Sequence, residues 1–228
     1  WTEWHGTTSK TPPYAELEPR FHASILYNGA PWKGRTIQPY VGGADGWKEW
    51  YNNTAPAGET TTGYYLRKIV DEKHVIANSG GTSPITIIRY AEVLLNKAEA
   101  CYNLGKTAEA NDAIKAIRTR VGLPYTPKGG SELWDAIRQE RKVELAFEGH
   151  WYWDLRRWGV AHENYPKGLN NYQCHGLKIE DNGDGSFTYT YVSVDNENRK
   201  FNKRMYRLPL PDGELENNAL VNQYSEWQ

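Results

Sequence analysis

The residues best placed to do chemistry lie between Glu140 and Trp158. Glu140, Glu144 and Glu148 recur at every fourth position, so on a helix their side chains stack along one side. Asp154 follows, and Arg141, Arg156 and Arg157 are interleaved. Two carboxylates facing across a cleft can perform the acid and base steps of glycoside hydrolysis. That role needs one of them protonated near neutrality, with a raised pKa. Close arginines push a carboxylate the other way. Like charges four apart also oppose a helix by roughly 0.2–0.5 kcal/mol per pair, so guanidiniums must approach them. The planar guanidinium fork binds a carboxylate bidentately and suits this task. The expectation is therefore a structural ion-pair seam, with no catalytic residue. Its members are Arg89, Glu140, Arg141, Glu144, Glu148, Asp154 and Arg156. A hydrolase acting through Glu144 or Asp154 is the competing reading. No GxSxG, HExxH or phosphate loop offers another chemistry.

Other chemistry is sparse. The two cysteines, Cys101 and Cys174, form no CxxC pair and no Cys/His metal spacing. Cys101 falls within a helical pattern and reads as a buried thiol, although a Cys101–Cys174 disulfide stays open. Asp181-x-x-Asp184-Gly185 only faintly resembles a calcium loop, because the alternating oxygens and distal glutamate are missing. The expectation is no metal and no cofactor. A net charge of -1 gives no electrostatic footprint for nucleic acid. What stands out is 13% aromatic residues, with 10 Trp and 16 Tyr. These side chains join an apolar face to a polar handle and suit interfaces and sugar-like ligands. A Trp-rich core is the plainer account of any single one.

The elements that must hold these residues divide the chain into three stretches. Residues 1–83 are loop-rich and aromatic, cut by Pro12-Pro13, Pro31, Gly42-Gly43, Pro56 and Gly58. Phe21–Tyr27 reads as a strand or a helical turn, and Gly63–Val70 as a short strand. Residues 84–158 form a helical block. Ile87, Ala91, Leu94, Ala98 and Cys101 step by three and four along one face of a helix over Ile85–Leu104. After Gly105, with Thr107 as N-cap, a second helix presents Ala110, Ala113, Ile114, Ile117 and Val121. A third, capped by Ser131, turns Leu133, Ala136, Ile137, Glu140, Val143 and Phe147 to the core. His150–Trp158 adds a short helix. Residues 159–228 return to loops, with a β-hairpin over Lys178–Val192. The first two helices match a tetratricopeptide-type hairpin, with small residues at Ala98 and Ala110 allowing close approach. One such hairpin cannot bury both faces and needs neighbours.

Several segments together resemble the SusD/RagB-like proteins. They are Pro84–Ala100, Ile117-Arg-Thr-Arg-Val-Gly-Leu123, Glu140–Gly149 and Trp153-Asp-Leu-Arg-Arg-Trp158. Leu17-Glu-Pro-Arg-Phe21 and Thr62–Lys68 fit the family's preceding loops. Arg207-Leu-Pro-Leu-Pro211, with Glu214 and Asn217, fits its closing motif. Trp151 departs from the pattern, standing where the family commonly has Arg. The family's N-terminal half has no counterpart in these residues.

The resemblance implies a mainly α fold of TPR-like helical hairpins, with long loops and a small β-hairpin. It also implies a surface lipoprotein of the outer membrane, lipid-anchored through the N-terminal part. Such a protein binds oligosaccharides without cleaving them and serves a SusC-like TonB-dependent transporter. The missing N-terminal half of the same protein is then a further partner. The sugar site in such proteins is an aromatic-lined surface, often built from loops ahead of the helices. Trp32, Tyr40, Trp47, Trp50 and Tyr51 are the candidates here, because they cluster in Gly/Pro-rich loop. The alternative is a TPR-like scaffold of the uptake complex without its own glycan site.

Overall fold

The computed structural model describes residues 6–48, 59–74, 86–194 and 197–228. It separates into two compact units, Trp1–His150 with His175–Val194, and Trp151–Cys174 with Asp195–Gln228. The fold is mainly helical and TPR-like.

Three helices form the base of the first unit: α2 (Tyr90–Asn103), α3 (Thr107–Arg120) and α4 (Gly130–Glu144). Left-handed Gly105 and Gly122 end α2 and α3. Return hydrogen bonds from Lys106 N–H to the Cys101 carbonyl and from Leu123 N–H to the Arg118 carbonyl close both ends. Ala98, Cys101, Ala110, Ala113, Ile114, Leu133 and Ile137 form one buried cluster, and Leu95, Ile117 and Leu145 a second. Ala98 and Ala110 are fully buried, so α2 and α3 approach as closely as their spacing predicts. Each fully buried Leu or Ile contributes about 1.5–3 kcal/mol of transfer free energy.

The helix boundaries differ from expectation in four places, one of them at α3, whose N-cap is Lys106, so that Thr107 is its first residue. α2 begins at Tyr90, not near Ile85. Ile87 therefore lies ahead of the helix, 84% exposed, instead of on its core face. α4 is preceded by Gly129 as N-cap, so Ser131 lies inside the helix. Phe147 falls beyond the end of α4 in the left-handed region, with φ 65°, and is 53% exposed. The core stripe of α4 thus stops short of it.

The loop-rich part of the first unit holds α1 (Pro19–Ser24), β1 (Thr7–Thr8) and β2 (Ile25–Leu26), then β3 (Pro31–Trp32), β4 (Arg35–Thr36) and β5 (Tyr65–Leu66). Phe21–Tyr27 is thus helical turn first and strand afterwards. β2 pairs antiparallel with β5. β3 and β4 form a two-residue hairpin in which Lys33 and Gly34 both take positive φ, as a type I′ turn demands. β6 (His175–Asp181) and β7 (Phe187–Ser193) run antiparallel in the register His175↔Ser193 to Asp181↔Phe187, and β1 adds to the outer edge of β7. Gly176 lies so close to the Thr62 backbone that a Cβ there would sit 2.5 Å from the Thr62 Cα. Only glycine lets the 60–63 loop lie on this sheet.

The second unit takes most of α5 (His150–Arg157) and α6 (Asp212–Asn217). Its core is Leu155, Ala161 and Phe201, with Trp151, Trp158, Leu169 and Tyr206 packed around them. Both cysteines are free thiols.

Candidate functional site

The densest polar structure of the first unit is built on α4. Glu140 and Glu144 lie one turn apart on the helix, and Glu148 follows in the turn beyond it. Glu140 and Glu144 are buried, so each must be paired to be tolerated. Arg20 of α1 reaches both, at 2.6 Å from Glu140 Oε1 and 3.0 Å from Glu144 Oε2, while its other nitrogens hold Glu18. From α3, Arg118 meets Glu140 at 3.2 Å and Arg120 meets Glu144 at 2.6 Å. Arg89, the N-cap of α2, binds Glu144 at 2.6 Å and grips Glu148 with two nitrogens, at 2.6 and 2.8 Å. Lys68, just after β5, pairs with Glu148 at 2.5 Å. It also donates to the Glu144 and Ala146 carbonyls at the end of α4, where a cation complements the helix dipole.

Five cations from four segments thus converge on two carboxylates of α4 and a third in the turn that follows it. The arrangement fastens α1, the stretch after β5 and the start of α2 onto the C-terminal end of α4. Burial pushes the Glu144 carboxyl up, but hydrogen bonds from Arg89 and Arg20 and the charges of Arg89 and Arg120 outweigh it. Its pKa falls below the usual carboxylate range. Glu148 is lowered in the same way, burial being overcome by Arg89 and Lys68. Carboxylates held this way are poor proton donors near neutrality, the opposite of what a general acid needs.

Acid should loosen this assembly. The folded pKa values lie below the ordinary glutamate value of about 4.3, so the ion pairs contribute stability that is fully present above that value. It is lost as pH falls through the lower folded values. Unfolding by urea at a series of pH values from neutrality to pH 3 should show stability dropping below about pH 4.3. Glu144→Gln should make that drop shallower. An equal drop in the variant would show that other groups set it.

The expected seam members divide. Arg89, Glu140, Glu144 and Glu148 come together as described. Arg141 donates to Asn96 Oδ1 on α2 at 2.7 Å. Asp154 and Arg156 lie in the second unit. Asp154 is buried and accepts from Arg157 Nε at 2.9 Å. Arg156 donates to the Met205 and Tyr206 carbonyls at 2.6 and 2.8 Å, with its guanidinium 5.5–5.7 Å from the rings of Tyr152, Trp153 and Phe201. It secures the core of the second unit instead of pairing with a glutamate of α4. The cations that sequence reasoning left out, Arg20, Lys68, Arg118 and Arg120, all lie within the segments that carry the family resemblance. Periodicity on α4 alone cannot reveal them, since they come from elsewhere in the chain.

The aromatic candidates also part company. Trp47 is only 6% exposed, and its Nε1 donates to the Thr60 carbonyl at 2.9 Å. It is a core residue with its polar handle satisfied, not a surface for stacking. Tyr40 is half-buried and packs on Phe187, with centroids 5.1 Å apart. Trp32 is half-buried on the β3–β4 hairpin and rests on the Leu26, Ala30 and Ile37 cluster. The Lys33 ammonium and Arg67 guanidinium lie 5.8 and 5.7 Å from its ring centroid. Arg35 grips Asp45 with two hydrogen bonds of 2.6 Å and pins the hairpin to the next loop. Trp50 and Tyr51 lie outside the described residues. Among the described residues no cluster of His, Cys, Asp and Glu could hold a metal ion, and no helix is long and apolar enough to cross a membrane.

Comparison with known proteins gives this architecture a family. A SusD-like protein of Bacteroides fragilis NCTC 9343 superposes with TM-score 0.73 and 29% identity, over 91% of this chain and 38% of that one. Among curated sequences, the SusD-like protein P38 of Formosa agariphila is 39% identical over 89 residues, 35% of this chain and 18% of that protein. The SusD-like protein P2 of the same organism is 32% identical over 154 residues, 62% of this chain and 26% of that protein. The chain therefore spans well under half the length of these relatives. The SusD family profile matches residues 2–227, nearly end to end, and the chain belongs to that family.

Proposed function

We propose that this chain is part of a non-catalytic, lipid-anchored cell-surface protein. That protein binds oligosaccharides and hands them to a SusC-like TonB-dependent transporter of the outer membrane. The observation that supports the reading most is the family match over residues 2–227. The geometry of the seam agrees with a rigid binding base, since its carboxylates are locked by cations and those of Glu144 and Glu148 are shifted away from acid catalysis. Trp32 is the stacking residue best supported by its surroundings. A type I′ hairpin holds it in place, with Lys33 and Arg67 at its ring.

Isothermal titration of the chain with a panel of oligosaccharides tests the reading. Trp32→Ala should weaken binding about tenfold, or about 1.4 kcal/mol. Unchanged affinity would remove Trp32 from the site, and a chain that binds no glycan would count against the reading itself.

One observation favours a scaffold role beside this. Tyr90, Val93 and Ala100 of α2, with its C-cap Leu104, step by three, seven and four on a side away from the core face, and all are exposed. Repeat helices commonly bury such a second stripe against a neighbouring hairpin. Further helices of the same polypeptide are the partner assigned to it, since the relatives are far longer than this chain. A stable transporter complex without any glycan affinity would make the scaffold role the whole function.

A further inference from the structure

The second unit carries an ordered surface loop, residues 161–172, that neither the seam nor the Trp32 region uses. Its backbone is closed on itself by hydrogen bonds from Tyr165 N–H to the Asn170 carbonyl, from Leu169 N–H to the Ala161 carbonyl and from Asn170 N–H to the Glu163 carbonyl, at 2.9, 3.0 and 3.0 Å. Gly168 is packed so tightly that a Cβ would lie 2.3 Å from the Glu163 and Val160 carbonyl oxygens. An antiparallel bridge joins Tyr172 to Arg199. Such a loop does not have to be ordered when a ligand arrives, which removes one of the main costs of binding.

The side chains on it form a recognisable set. Tyr165 is 49% exposed, and its ring lies 4.8 Å from that of Tyr172. The Arg199 guanidinium sits 5.7 Å from the Tyr172 ring. Asn164 Oδ1 accepts from both Asn170 and Asn171 Nδ2, at 3.2 and 2.6 Å. With that oxygen occupied twice, the Asn164 amide orientation is fixed and its NH₂ is left to donate elsewhere. The Lys200 ammonium donates to Asn171 Oδ1 and retains two further N–H donors. An exposed aromatic face beside oriented amide and ammonium donors matches a sugar ring, whose CH face is apolar and whose rim is hydroxyl.

We infer that the Tyr165–Tyr172 surface, with Asn164, Arg199 and Lys200, is a second oligosaccharide-binding site of this chain, separate from Trp32. The inference rests on the carbohydrate reading above. The ring of one sugar stacks on Tyr165, while its hydroxyls accept from the Asn164 amide and the Lys200 ammonium.

Calorimetric titration of the full chain with maltohexaose, cellohexaose, xylohexaose, mannohexaose and hexagalacturonate is the test. For any of these that binds the wild type, Tyr165→Ala should lower affinity about tenfold. Tyr165→Phe, which keeps the ring, should hold it within about twofold. Lys200→Ala, remote from the packed core, checks the polar half and should weaken binding even if Tyr165→Ala proves unstable. Unchanged affinity in folded Tyr165→Ala overturns this site, and loss confined to Trp32→Ala then leaves the carbohydrate reading standing. A wild-type chain that binds none of the five overturns both.

Discussion

Glu144→Ala is expected to destabilise the first unit by about 3–5 kcal/mol, the cost of removing one partner from a buried charge pair. Glu144 is 3% exposed and is shared by Arg20, Arg89 and Arg120. The loss falls unevenly among them. Arg120 is more than half exposed, so water can take over its charge at little cost. Arg20 is almost buried and would keep only Glu140 and Glu18 as partners. Arg89 would still hold Glu148. The penalty therefore comes mainly from Arg20 and from the desolvated space the carboxylate leaves. Glu144→Gln keeps the shape and isolates the charge, while Arg120→Ala removes only an exposed partner and should cost at most about 1 kcal/mol. Chemical unfolding with hydrogen-exchange readout would separate these cases, with faster exchange expected in α1 and at the start of α2. If Glu144→Ala cost no more than Arg120→Ala, the seam would be no stronger than a set of surface pairs.

That contrast shows what one sequence could and could not reveal. The helical base was legible because its signals are local. The three-and-four spacing of Ala91, Leu94, Ala98 and Cys101, the stop at Gly105 and the small residues Ala98 and Ala110 each depend on neighbours within a turn or two. The hairpin of β6 and β7 was legible for the same reason. Apart from helix starts displaced by a few residues, the errors lie where a distant residue decides. Nothing near Phe147 announces that the chain takes a left-handed turn there, held by Lys68 on the Ala146 carbonyl. The guanidinium fork of Arg156 suits a carboxylate of the seam, yet the Met205 and Tyr206 carbonyls claim it. The seam's carboxylates were visible at four-residue spacing, but Arg20 lies 120 positions from Glu140. The aromatic candidates were harder still. A Trp in a Gly/Pro-rich loop is drawn into a core or left on the surface by packing that composition does not encode. Trp47 and Trp32, 15 positions apart, went different ways.

The second large effect is expected at Ile137, and it tests whether the helical base stands without the seam. Ile137→Ala should cost about 2–5 kcal/mol, and Ile137→Val about 0.5–1.5 kcal/mol. Ile137 is fully buried among Ala98, Ala110, Ala113, Ile114 and Leu133. Three of these neighbours are alanines, which have no side-chain torsion that could swing into a void. Refilling it would require α2 or α3 to move, and left-handed Gly105 with its return bonds holds the two helices together. The upper part of the range is therefore expected. Ile137 and Glu144 lie on the same helix, separated by roughly 10 Å of rise. At that spacing, effects on stability normally add. Ile137→Val combined with Glu144→Gln keeps the total loss within what a folded protein can bear. Their sum should hold to about 0.5 kcal/mol if packing and ion pairing support α4 independently. A larger departure would mean that the cluster and the seam act as one support, so that a loosened core also releases α1 and the Trp32 hairpin beyond it.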